Sequence, residues 1–134
     1  MFDHEKLRVY PEVLAFASGA EAILERAKKS SPLHHQLDRA KTSILLNIAE
    51  GNGRFTAPDR CRFFDTARGS VLEYAAGLDL LAVKNVIDPK ELARDKAVLE
   101  KIVLMLIGLI RSNSADRLHE ASISYRVKSK MDYD

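Results

Sequence analysis

The chain has 134 residues, 30% of them charged and 46% hydrophobic, and a formal net charge of +2. That balance suits one globular domain with a real core and excludes a disordered chain. The single cysteine, Cys61, excludes an internal disulfide and a cysteine-based zinc site, so a reducing, cytoplasmic setting is expected. Asp3, His4 and Glu5 precede any apolar run, so no leader peptide is expected. The longest apolar stretch, "IVLMLIGLI" at 102–110, is too short to cross a bilayer. The slight positive charge permits nucleic-acid binding without calling for it, because strong electrostatic binders carry a clustered excess of cations.

Periodicity and punctuation predict four helices. The first spans about 11–29, with Val13, Phe16, Ala20, Ile23, Leu24 and Ala27 at three–four spacing and two lysines at its end. Ser31 and Pro32 open the second, which runs to Gly51 or Asn52 with Leu33, Leu37, Ala40, Ile44 and Ile48 as its stripe. Gly51 and Gly53 read as a C-terminal cap in which glycine adopts a positive φ. Thr56 and Asp59 begin the third helix, about 57–85, and Gly69 and Gly77 inside it read as points of close helix approach. Asp88, Pro89 and Glu91 open the fourth, which should end near 112–114. Residues 115–134 mix serines with both signs of charge and are expected to form a flexible tail beyond a helical domain of residues 1–114, with a short helix there as the alternative. No segment alternates, so no sheet is expected. The fold class is all-α, an antiparallel up-down-up-down four-helix bundle.

The fourth helix is apolar around most of its circumference, from Ile102 to Ile110. A helix in such a bundle needs to hide one face only, so a second burial surface and a homo-oligomer are expected, with Val103, Leu104 and Ile107 as interface candidates.

A polar line follows the second helix: Gln36, Arg39, Ser43, Asn47, Glu50 and Arg54. Arg62, Thr66, Ser70 and Glu73 make a similar line on the third. Facing lines would form a seam that must be hydrogen-bonded wherever it is buried. Two readings stay open: Asn47, Glu50, Arg54 and Arg62 as a structural network fixing register within the bundle or between subunits, or a surface for a small ligand or RNA phosphate. Arg39, Lys41, Arg54, Arg60, Arg62 and Arg68 are the candidate nucleic-acid contacts.

Catalysis is not expected. No histidine follows a glutamate by three, as di-iron bundles require. His34 and His35 point to different sides of a helix and read as solvated surface. Arg26–His34 and Arg111–His119 are each one residue too far apart for the arginine–histidine spacing of helical-bundle ribonucleases. "GNGR" ends a helix, where the dipole has the wrong sign for phosphate. Ser70 lacks a histidine base. No metal and no cofactor is expected.

The run "QLDRAKTSILLNIAEGNGRFTAPDRCRFFDTARGSVLEYAAGL" (36–78) resembles the small bacterial four-helix bundle proteins, also called 23S rRNA intervening-sequence proteins. "SILLNIAEGNGR", "RFF" and "GSVLEY" carry the likeness. "LRVYPEVLAF" and "VLMLIGLI" extend it to about 7–111. Asp38 departs from the pattern, which has arginine there, and Asp59 stands for a glutamate. The resemblance implies a left-handed antiparallel bundle, a homopentamer as the favoured assembly, and an RNA- or DNA-associated, non-enzymatic role. A related bundle serves as a basic pentameric adaptor beside retroelement reverse transcriptases. The alternative is a protein–protein or structural assembly module with no nucleic acid.

Overall fold

The computed structural model describes residues 1–29 and 31–125. A short 3-10 helix, Asp3–Lys6, leads into four α-helices: α1 (Val9–Arg26), α2 (Ser31–Asn52), α3 (Ala57–Val83) and α4 (Pro89–Tyr125). Among the described residues there is no strand. The fold is all-α with four helices.

The core is built from the stripes that periodicity marks. Val13, Phe16, Ile23, Leu37, Ile44, Ile48, Phe64, Tyr74, Leu78, Ile102 and Leu106 are buried. Phe16 of α1 meets Tyr74 of α3 edge-on, with ring centroids 4.9 Å apart. Burial pushes the Tyr74 phenol well above its ordinary pKa, so the ring stays neutral inside the core. α2 lies chiefly against α3 and α3 against α4, while α1 touches α2 and α4.

Cross-helix contacts give the register. Ser43 meets Ser70, and Arg39 meets Glu73 further from the α2–α3 turn. Cys61 approaches Ile110, and Asp79 pairs with Lys96. Glu12 pairs with Lys101, and Arg26 with Glu91. Lys41 pairs with Glu21, and His34 Nδ1 bonds the Leu24 carbonyl at 2.9 Å. His34 is thus half-buried and tied to α1, not free in solvent as its sequence position suggests; His35 is exposed.

The helix ends have local causes. The Thr56 side chain accepts from the Asp59 N–H at 3.3 Å and starts α3. Asp88 and Glu91 bond each other's backbone N–H at 2.8 and 3.1 Å, a reciprocal box that starts α4. α3 ends in a Schellman motif: Val86 N–H reaches Leu81 O at 2.9 Å, Asn85 N–H reaches Ala82 O at 3.0 Å, and Asn85 has φ 59°.

Two expectations about helix ends are corrected. No glycine has a positive φ, so Gly51 and Gly53 are not a left-handed cap. Gly51 is instead a buried point of close approach between α2 and α3, where a Cβ would stand 2.9 Å from Phe63 Cβ and 3.0 Å from the Phe64 ring. The fourth helix does not stop near 112–114 but continues to Tyr125. Asn113 and Ser114 do not break it because they are packed: Asn113 Nδ2 donates to Leu109 O at 2.8 Å, and Ser114 is buried. Of the expected tail, residues 126–134 lie outside the described residues.

Gly77 faces Leu37 so closely that a Cβ would overlap the leucine side chain, which is the close approach expected of it. Gly69 has open space around it and serves no such contact.

Candidate functional site

The α2–α3 turn follows from two adjacent stops. α2 ends at Asn52, and Gly53 and Arg54 fold back onto it, with Gly53 N–H bonding Ala49 O and Arg54 N–H bonding Gly51 O at 3.2 Å each. Thr56 then caps α3. The polar seam begins beside this turn.

The middle of the seam is a compact network. Ser43 Oγ and Ser70 Oγ are 2.8 Å apart. Asn47 Nδ2 donates to Ser43 O at 2.8 Å and to Ser43 Oγ at 3.0 Å. Ser70 is buried, and Ser43 and Asn47 are half-buried. Each of the three side chains has a partner within the network. The two ends are different. Glu73 and Glu50 are exposed and pair with Arg39 at 3.3 Å and Arg54 at 3.5 Å. Gln36 is exposed beside a small cleft lined by Leu33, Leu37, Glu73 and Gly77. The structure therefore joins Ser43, Asn47 and Ser70, and leaves Gln36, Glu50 and Glu73 at the surface.

The six candidate cations divide three ways. Lys41 is an interhelical tie, its side chain only 13% exposed between Glu21 and Asp38. Burial alone would lower its pKa, but the hydrogen bonds and negative charge of both carboxylates outweigh that and raise it, so the charge is fixed. Asp38, the departure from the family's pattern, is one of these partners. Arg60 is a clamp. Its Nε donates to Asn113 Oδ1 at 2.9 Å, Nη1 to Asn52 O and Arg54 O at 3.1 and 3.3 Å, and Nη2 to Asn52 Oδ1 at 3.1 Å. Asn52 Nδ2 in turn donates to Asp3 Oδ2 at 2.9 Å, linking the N-terminal segment, the α2–α3 turn and α4.

Arg39, Arg54, Arg62 and Arg68 are surface cations, each paired with a carboxylate: Glu73, Glu50, Asp59 and Asp65. Such exposed pairs hold weakly in water and open readily to another anion. Two of them share an aromatic ring. The Arg54 and Arg62 guanidinium carbons stand 4.5 and 4.6 Å from the Phe63 ring centroid. Arg54 Nε is buried there with no hydrogen-bond partner. Phe55, next to Arg54 in the turn, is fully exposed.

Sequence reasoning named the cations but missed Asn52, Asn113, Phe55 and Phe63. The available signal was the repeated Arg-Phe dipeptide, Arg54-Phe55 and Arg62-Phe63. No signal marked Asn113, which reaches Arg60 only because α4 returns to the turn. Among the described residues no cluster of three His, Cys, Asp or Glu could hold a metal ion, and no helix is long and apolar enough to cross a membrane.

Leu80 of α3 is exposed beside the Gln36 cleft, and Leu72 and Val83 of α3 and Leu104 of α4 are exposed too, Leu104 by 69%. Leu72 and Leu104 flank a cleft of about 380 Å³ between α3 and α4, with Val103 in its wall. Val103 and Ile107 are half-buried, so of the three interface candidates Leu104 stands furthest out.

No curated protein matches the chain. A family profile described as 23S rRNA-intervening sequence protein matches residues 5–108, a span from the 3-10 helix to the apolar stretch of α4 that includes the seam, the clamped turn and the Arg54–Phe63–Arg62 cluster. The chain belongs to the 23S rRNA-intervening sequence protein family.

Proposed function

We propose that this protein is a cytoplasmic, non-catalytic, self-associating adaptor that binds nucleic acid, with ribosomal RNA as the class its family's description suggests. The observation that carries the reading is the pair Arg54 and Arg62 gathered over Phe63 beside the exposed Phe55. Arginine planes and aromatic rings together are the surface that nucleic-acid backbones and bases use. Arg39 and Arg68 extend the positive charge along α2 and α3, while Lys41 and Arg60 contribute charge from fixed positions. One protomer carries only +2, so copies facing one way would supply the field that a single chain lacks.

The assembly is an antiparallel up-down-up-down bundle. Support comes from contact pairs whose numbers fall along one helix as they rise along the next, such as Ser43–Ser70 and Arg39–Glu73. The left-handed twist and the pentamer are carried by family resemblance. Self-association itself is supported by Leu72, Leu80 and Leu104 left in water.

A second reading, a protein assembly module without nucleic acid, is favoured by one observation: every surface cation in the set already has a carboxylate partner. A titration of fluorescent RNA and DNA at low and physiological salt separates the two. The adaptor reading expects binding that weakens steeply with salt and falls in Arg39→Glu, Arg62→Glu and Arg68→Glu. No binding at low salt, or indifference to these reversals, supports the second reading.

A further inference from the structure

We infer that Phe55 is a stacking platform for the base of an unpaired nucleotide, with the adjoining phosphates on Arg54 and Arg62; the inference rests on the nucleic-acid reading above. Four features of the turn lead to it. A fully exposed phenylalanine forgoes the whole gain that burial of its ring would bring. Its neighbours in sequence show that the fold could use such rings: Phe64 is buried in the core and Phe63 is held under two guanidinium groups. Phe55 does neither.

The backbone that carries Phe55 is fixed from three sides. Arg54 N–H bonds Gly51 O, the Arg54 carbonyl accepts from Arg60 Nη1, and Thr56 caps α3. The ring is thus presented from a clamped turn, and a ligand meeting it spends little on ordering the loop. Charge sits in the right place. Arg54 and Arg62 pair with Glu50 and Asp59 through side chains that are partly open to water, at 3.5 and 3.0 Å, and phosphate oxygens can take over these pairs.

This combination selects unpaired strands. In a duplex the base faces are covered by their neighbours, and only phosphates and groove edges are open. A single strand offers a free π-face to Phe55 and its phosphates to the arginines, with little preference among bases. The outward plane of the Arg62 guanidinium, whose side chain is 64% exposed, offers a second stacking surface for the next base.

The test uses the whole chain, a labelled unstructured RNA oligonucleotide, a DNA of the same sequence, and a duplex of equal phosphate number, all at low salt. The expected result is binding of the single strands about tenfold tighter than the duplex, a margin that Phe55→Ala removes without weakening duplex binding. Phe55→Trp keeps the margin. Because the chain has no other tryptophan, its emission should be quenched by the single strand and not by the duplex. Both substitutions are at a fully exposed position, so the thermal melt stays that of the parent. Equal binding of strand and duplex, unchanged in Phe55→Ala and without quenching in Phe55→Trp, overturns the platform while leaving the adaptor standing. No binding of any of the three at low salt overturns both.

Discussion

Arg60 looked, as one cation in a run of arginines, like a contact for phosphate; its four hydrogen bonds make it the fastening between the α2–α3 turn and α4. A guanidinium that answers two backbone carbonyls and two amide oxygens leaves them unpaired when removed. Arg60→Ala should cost on the order of 1–3 kcal/mol in a urea melt, whereas Arg62→Ala, which loses an exposed pair with Asp59, should cost below about 1 kcal/mol. Ser43 and Ser70 were legible as partners because three–four spacing puts them on facing lines. Glu50 was not legible as a surface residue: spacing gives the direction of a side chain, but depth depends on where the neighbouring helix lies.

Glu91 carries a pH signature. The Arg26 guanidinium bonded to it, then its own bond to the Asp88 N–H, hold its carboxyl down at about 2 against an ordinary 4.5. A depressed carboxylate contributes stability that is present above the unfolded value and lost as pH falls through the folded one. The stability difference between the parent and Glu91→Gln should therefore be full above pH 4.5 and shrink as pH falls toward 2. Denaturant midpoints across that window check it; a difference independent of pH would contradict the ion-pair account.

Among elements, the helix count and the apolar stripes were readable because 3.6-residue periodicity is a property of the chain alone. The end of α4 was not. "RSNS" has the composition of a stop, yet Asn113 bonds Leu109 O and Arg60, and Ser114 is buried against the turn region near Cys61. Tertiary partners supplied what local propensity lacked. The glycines of α3 make the same point and yield a prediction. Gly69→Ala has open space and should raise stability by about 0.5–1 kcal/mol through the helix preference of alanine. Gly77→Ala meets the buried Leu37 and should lower it by about 1–2 kcal/mol after the same gain is subtracted. Thermal melts of the two variants should move in opposite directions.

In the molecule as a whole, the cleft flanked by Leu72 and Leu104 and the arginines over Phe63 share no residue, so the proposed assembly and the proposed nucleic-acid binding need not compete for the same side chains. Sequence pointed to a second apolar face on α4 but could not say that α3 shares it through Leu72, because that depends on which helix is its neighbour. The most direct measurement is sedimentation velocity of labelled RNA with the protein at micromolar concentration, in low salt and again at physiological salt. The account predicts that at low salt the RNA moves with a particle of several 15.0 kDa protomers, and that raising the salt releases the RNA while the particle persists. A 15.0 kDa monomer with the RNA sedimenting free at low salt would contradict it.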